Sequence, residues 1–423
     1  MLRRAALLAG LVAGLAAAAA HAQTDASAEI FATHASGVVQ VEIQEAGSAA
    51  KRSIGSGFAV EPAGTFVTNY HVVSAALHDP SRYVVKIHLQ DGGELAASLV
   101  AFDVVQDLAL LRSEGAQARP FALHAGTPLR KGERLYSLGN PLDLGMSVVE
   151  GTYNGLLEHS RYARIHFSGS LNPGMSGGPA LLASGEVAGV NVASAGEQVS
   201  FLVPVREVRA LLARARKAGF EPPADLRAEL AAQLLRQQEG YLGEILAKPF
   251  GEVRMGRFVA PTGLAPFFNC WGDAPEDEEA FYQERSHSCF TEDHVFVSDE
   301  QSFAIVELHH RQVESTKLSG RRFYALYSWL FEEDFSKRWG REVDFTPFRC
   351  QTGFVTNTSL TFKATFCARR FRRLEGLYDV VFKAAALGQR SDGFETALLL
   401  SGVALEPARE LSRRVLEAIR WAE

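Results

Sequence analysis

Between residues 38 and 205 the apolar side chains come in short, strand-like runs separated by turn residues: 38–43, 57–69, 83–90, 95–102 and 108–112, then 134–138, 147–157, 163–167, 180–182, 187–192 and 199–203. Many short strands at this spacing predict an all-β barrel or sandwich. After Val205 the period lengthens. Over 205–219 and 224–245 apolar residues recur three and four apart, as at Leu226, Leu230, Leu234, Leu235 and Leu242, which predicts two amphipathic helices joined through Pro222 and Pro223. These helices, residues 207–247, read as a connector between a β domain at 30–206 and a second domain at 248–423. The second domain is rich in aromatics and reads as α+β, with strands at 303–314, 351–356, 360–371, 378–385 and 395–400 and a closing helix at 407–421.

The start of the chain follows a different pattern. Arg3 and Arg4 precede an uninterrupted apolar run over 5–20 and the small-x-small triplet Ala20-His21-Ala22. Residues 1–22 therefore read as a signal peptide cut after Ala22. The run is short for a membrane span and has no charged stop, so a retained anchor is the lesser reading. The expectation is an exported chain, periplasmic or extracellular, without stable membrane insertion.

A chain of 423 residues with formal net charge −6 has room for two or three domains. No Lys/Arg stripe with interleaved aromatics marks a nucleic-acid surface, so no nucleic-acid partner is expected. All four cysteines lie in the C-terminal half, where an oxidising compartment lets them pair. Cys350 and Cys367 sit symmetrically about the turn triplet Asn357-Thr358-Ser359, so a hairpin would bring them face to face. Cys270 and Cys289 form the second bridge by default. A metal site from Cys270, His287, Cys289 and His294 matches no strong zinc spacing, and the acidic run Glu276-Asp277-Glu278-Glu279 reads as a solvated helix start or loop.

The chemistry lies in the first domain. Asn172-Pro173-Gly174-Met175-Ser176-Gly177-Gly178-Pro179 places a hydroxyl nucleophile among glycines that allow left-handed backbone and close approach of a substrate chain. Acyl transfer needs such a serine with backbone N–H donors beside it, here those of Gly174 and Ser176, to hold the developing oxyanion. A serine hydroxyl must also lose its proton to a base. His71, at the end of the run 65–68, supplies one, and Asp107, immediately before the apolar run 108–112, can orient its imidazole; Asp103 is the competing carboxylate.

The order His71, Asp107, Ser176 is that of chymotrypsin-type enzymes. The segments Gly55-Ser56-Gly57-Phe58, Thr68-Asn69-Tyr70-His71-Val72-Val73, Asp107-Leu108-Ala109-Leu110-Leu111 and Leu138-Gly139-Asn140-Pro141 resemble a trypsin-like peptidase domain of the HtrA/Deg type. So do the nucleophile loop, Gly189-Val190-Asn191-Val192-Ala193 and Phe201-Leu202-Val203-Pro204. The resemblance implies a double β-barrel with the triad in the cleft between barrels. It covers little more than a third of the chain, and two departures stand out. Met175 replaces the Asn usual in that family and the Asp of digestive enzymes, which rules against activation by insertion of a new N-terminus. No PDZ pattern follows the barrels; Pro261-Thr262-Gly263-Leu264-Ala265 lacks its surroundings, and the C-terminal half resembles no family.

In this fold the primary pocket is lined by the segments before the nucleophile and along the following strand, here Ser168, Gly169 and Ser170 with Val190, Asn191, Val192 and Ala193. None is acidic, so cleavage after small or medium apolar residues is expected. The sequence therefore reads as an exported serine endopeptidase acting on protein or peptide substrates, with no metal or organic cofactor. A catalytically silent binding scaffold of the cell envelope and a hydrolase of small esters are the alternatives.

Overall fold

The computed structural model describes residues 26–48, 50–62, 64–158, 160–196, 199–274, 279–332 and 342–422. The signal-peptide reading and most of the acidic run, Glu276 to Glu278, lie outside them. Two compact units emerge, one comprising residues up to 158 with 163–224, the other 160–162 with 225–422.

In the first unit, β1 (Val38–Glu45), β2 (Lys51–Glu61), β3 (Thr65–Thr68), β4 (Tyr83–His88), β5 (Glu94–Asp103) and β6 (Leu108–Arg112) close a barrel in the order β1-β2-β3-β6-β5-β4. The run predicted over 57–69 is two strands, because Gly64 at φ 72° turns the chain between them. A second barrel closes in the order β10-β11-β12-β9-β8-β7, from β7 (Arg134–Gly139), β8 (Ser147–Leu156), β9 (Ile165–Phe167), β10 (Pro179–Leu181), β11 (Val187–Gly196) and β12 (Val199–Pro204). Val38, Phe58, Val67, Leu108 and Leu110 bury in one continuous core with Leu138, Leu181, Val190 and Val203, so the barrels share apolar packing. The expected double barrel is what the structure contains.

The two helices read as a connector divide between the units. Val205–Lys217 buries Val208, Leu211, Leu212 and Ala215 in the barrel core, whereas Leu226–Ala247 falls within the second unit. Asp225 caps the latter, its carboxylate accepting from the N–H groups of Arg227 and Ala228.

The second unit is built on a seven-stranded antiparallel sheet ordered β15-β16-β19-β23-β22-β21-β20. Its strands are β15 (Phe268–Asp273), β16 (Gln283–Thr291), β19 (Val306–Glu314), β20 (Arg349–Thr356), β21 (Thr361–Arg370), β22 (Tyr378–Leu387) and β23 (Asp392–Val403), while β13 (Gly251–Met255), β14 (Phe258–Thr262), β17 (Val295–Ser298) and β18 (Gln301–Phe303) pair outside it. All twelve residues of β23 are buried, as expected of a strand central in the sheet and covered on both faces. Cys350 faces Cys367 across β20 and β21 with an S–S distance of 1.99 Å, and Cys270 faces Cys289 across β15 and β16 at 2.05 Å. The helix Gly320–Phe331 was not expected from sequence; its Phe323, Tyr327 and Leu330 line one buried face. In the same unit the Arg161 guanidinium lies 4.8 Å from the Tyr241 ring centroid and 5.4 Å from that of Phe267, and donates to the carbonyls of Asp293 and Ala304.

Candidate active site

His71 lies in the first turn of the helix Tyr70–His78, which follows β3 after Asn69. Tyr70, Val72, Val73 and Leu77 of that helix are buried, which fixes its first turn on the barrel. Asp107 adopts φ 59°, a left-handed conformation that Asp tolerates better than most residues. Its Oδ2 lies 2.7 Å from His71 Nδ1, and its Oδ1 accepts the His71 backbone N–H at 2.9 Å. Asn69 Nδ2 donates to the Asp107 carbonyl at 2.7 Å, so the turn holding the carboxylate is itself held. A carboxylate against Nδ1 selects the tautomer with its proton there, leaving the lone pair on Nε2. Burial, and secondarily the Asp107 charge, pushes the Tyr70 hydroxyl upward, so that phenol stays protonated. Asp103 is engaged elsewhere: it pairs with Arg214 at 2.7 Å and accepts the Gln106 N–H at 2.9 Å. Of the two carboxylates weighed from sequence, Asp107 is the one beside the imidazole.

The loop around Ser176 is supported on three sides. Gly174 has φ +95°, and a Cβ there would come within 2.4 Å of the Asn140 carbonyl, so only glycine fits. The Pro173 carbonyl accepts the Leu142 N–H at 2.9 Å. Because the peptide is trans, the Gly174 N–H points to the opposite side of the loop. Among the described residues neither the Gly174 nor the Ser176 N–H has an acceptor, which leaves two adjacent backbone donors uncommitted. The Ser176 hydroxyl donates to the Val192 carbonyl at 3.1 Å.

Two buried side chains hold this loop from behind. Ser56 of β2 donates its hydroxyl to the Gly174 carbonyl at 2.7 Å and accepts the Asn140 N–H at 3.0 Å, while its own N–H donates to the Ser176 carbonyl at 2.7 Å. Asn191 of β11 donates through Nδ2 to the carbonyls of Met175 and Leu138, each at 3.1 Å, and accepts from the Ser137 hydroxyl at 2.8 Å. Its backbone joins Gly177 and Gly178 at 2.9 Å each. Met175 is fully buried in the second barrel's core, with Leu135, Ile165 and Leu202 in the same cluster.

Of the residues expected to line a pocket, Val190 packs in the barrel core and Asn191 is fully buried behind the Ser176 loop. The reading of these two side chains as pocket walls is corrected: strand alternation turns Val190 inward, and the Asn191 amide is consumed by internal bonds. Ser170 is exposed, Ser168 shares a hydrogen bond with Thr152 Oγ1 at 2.9 Å, and Gly169 has no room for a side chain against Phe167. Val192 meets the site through its carbonyl, and Ala193 follows it on β11. Sequence reasoning missed Ser56 and the role of Asn191; the signals were a serine between glycines on an apolar strand and a lone amide within an apolar run.

Outside this site, Cys270, His287 and Cys289 bring ligand-type atoms within 4.8 Å of one another. The sulfurs are bonded to each other, and His294, added to this set from sequence, instead lies 3.4 Å from the Glu292 carbonyl through Nδ1.

Residues 55–190 match the trypsin-like peptidase domain. Over 210 residues the chain is 32% identical to the mitochondrial serine protease HTRA2 of Drosophila grimshawi, covering 45% of this chain and 48% of that protein. It thus spans about half the length of the curated relatives it matches. Among solved structures, Deg5 aligns with 27% identity and TM-score 0.40 over 46% of this chain and 95% of that one. The serine endoprotease from Yersinia pestis aligns with 24% identity and TM-score 0.40 over 46% of this chain and 67% of that one.

Proposed function

We propose that this trypsin-like peptidase domain of the HtrA/Deg type works as an exported serine endopeptidase, with Ser176 as nucleophile, His71 as general base and acid, and Asp107 orienting the imidazole. The observation that carries the reading is the coexistence, in one unit, of the 2.7 Å His71–Asp107 pair and a serine loop with two uncommitted backbone donors. During attack the Ser176 proton leaves the Val192 carbonyl for His71 Nε2, and the oxygen adds to the scissile carbonyl. The resulting oxyanion is received by the Gly174 and Ser176 N–H groups; its collapse breaks the C–N bond as His71 Nε2–H protonates the leaving amine, and water, deprotonated by His71, then hydrolyses the acyl-enzyme while the proton returns to Ser176 Oγ. Protein or peptide segments are the substrate class. The small, uncharged segment Ser168-Gly169-Ser170 supports cleavage after small or medium apolar residues. The N-terminal pattern of residues 1–22 supports export.

The test uses the chain from Gln23 and its Ser176→Ala variant with a fluorophosphonate probe and casein. Labelling and cleavage in the parent, both lost in the variant, are expected. A folded parent that neither labels nor cleaves overturns the enzyme reading in favour of a silent scaffold. Labelling with turnover of short acyl esters but not of casein favours the esterase.

A further inference from the structure

The turn after β7 is held in an unfavourable conformation by side chains from the other barrel. Leu142 has φ 53° and ψ 25°, and Asp143 follows at φ 59°. Two consecutive non-glycine residues in the left-handed region require an external hold. The Asp143 carboxylate provides it: Oδ1 accepts from Gln40 Nε2 of β1 at 2.6 Å, and Oδ2 pairs with Lys51 Nζ of β2 at 2.9 Å. Lys51 is steered in turn by Glu42 of β1, buried and 3.1 Å away. The hydrogen bond from Gln40, and then that from Lys51, holds the Asp143 carboxyl below its ordinary range, so it remains an anion.

This turn bears on the oxyanion peptide. The Leu142 N–H, oriented by its left-handed conformation, is the donor that engages the Pro173 carbonyl at 2.9 Å and so fixes the plane of the 173–174 peptide. If Leu142 relaxed to an ordinary φ, its N–H would rotate off Pro173. The 173–174 peptide would then be free to flip, presenting a carbonyl where a donor is needed.

We propose that Asp143, clamped by Lys51 and Gln40, is a positioning residue that keeps the oxyanion peptide Pro173–Gly174 in its donor orientation through Leu142. The proposal rests on the peptidase reading. The clamp comes from the first barrel and the peptide from the second, so assembly of the donor site depends on their register. The residue acts on transition-state stabilisation and touches no substrate.

The experiment compares the full chain with Asp143→Ala, Lys51→Met, the double variant and Lys51→Arg. Steady-state kinetics are measured on an unfolded protein, and amide hydrogen exchange is followed over 139–147 and 170–178. Both single variants should lower kcat about 10- to 100-fold with KM within about 2-fold, the split expected when only the oxyanion interaction is weakened. The double variant should be no worse than the poorer single by more than about 2-fold, since both break one clamp. Lys51→Arg should recover most of what Lys51→Met loses. Exchange should quicken at Leu142, whose amide is the bond in question, while the melting transition scarcely moves because the ion pair is half-exposed. An undiminished kcat in Asp143→Ala, or a loss confined to KM, overturns the proposal while leaving the peptidase reading intact. If the parent is inactive the peptidase reading fails instead. The clamp is then judged by exchange alone: faster exchange at Leu142 and over 170–178 sustains it, and unchanged exchange overturns it.

Discussion

Replacing Asn191 by alanine removes the side chain that braces the nucleophile loop, and the cost follows from its bonds. The amide makes three hydrogen bonds, to the Met175 and Leu138 carbonyls and from the Ser137 hydroxyl, at 3.1, 3.1 and 2.8 Å, and is fully buried. At roughly 1 kcal/mol net for each, the loss is about 3 kcal/mol, and carbonyls left without partners in a dry interior can only add to it. For a unit of this size that corresponds to a fall of about 6–12 °C in melting temperature. Residue placement makes the assay selective. All four tryptophans of the chain, Trp271, Trp329, Trp339 and Trp421, lie beyond residue 224, so tryptophan fluorescence reports the second unit, whereas far-UV circular dichroism sees both. Asn191→Ala should lower the barrel transition seen by circular dichroism, leave the tryptophan transition in place, and slow fluorophosphonate labelling below the melting point. A shift under about 2 °C with unchanged labelling would refute the assignment of Asn191 as the brace.

Asp107→Asn should cost on the order of 10⁴ in kcat, because an amide at Nδ1 admits the wrong tautomer, whereas Asp103→Asn, losing only its Arg214 and Gln106 contacts, should stay within about 3-fold; equal effects would return the choice to Asp103. In the second unit, burial raises the Glu395 carboxyl to about 7 and lowers the His310 imidazole to about 3. Between pH 4.5 and 6.5 the folded Glu395 holds more protons than the unfolded chain, so its contribution falls as pH rises. His310 holds fewer, so its contribution grows. The two oppose, and Glu395→Gln should unmask a stability that climbs with pH across this window by up to about 3 kcal/mol in urea titrations followed by tryptophan fluorescence; a flat profile in the variant would contradict the His310 assignment. Reducing the two disulfides, which close separations of 19 and 17 residues, should lower the second unit's stability by about 3 kcal/mol per bridge and leave Ser176 labelling of the barrels unchanged, as measured by melting and labelling with and without thiol reductant.

The barrels were legible because short apolar runs bounded by turn residues mark strands, and run after run from 38 to 203 falls within a few residues of its final bounds. The exception at 57–69 ran two strands together across a turn that Glu61, Pro62 and Gly64 mark in the sequence. In the second unit β15 and β16, at one side of the sheet, escaped notice. Residues 283–291 form a polar strand, Gln-Glu-Arg-Ser-His-Ser-Cys-Phe-Thr, whose place in the sheet is set by pairing with β19 rather than by pattern. The helix 320–331 is dense in aromatics, which lean toward strands unless spacing at 323, 327 and 330 is weighed. At the candidate site, His71, Asp107 and Ser176 were singled out from sequence because acyl-transfer chemistry calls for those residue types in that order. The roles of Ser56, Asn191 and Asp143 were not legible there. Ser56 and Asn191 act on backbone carbonyls 118 and 16 residues away, Asp143 on side chains 103 and 92 residues away, and no local pattern encodes which partner each will meet.

The chain leaves the first unit for residues 160–162, returns to lay down β9 through β12, and leaves again at 225. A fragment ending at 224 would carry Arg161 and Tyr162 without Tyr241 and Phe267; one beginning at 225 would keep the aromatic sleeve and lose its cation. Neither unit is therefore a single cassette of sequence. Recombination that grafts a new second unit onto these barrels needs two junctions to succeed together, so a tripeptide in the middle of the peptidase segment is inherited on behalf of a neighbour encoded far downstream.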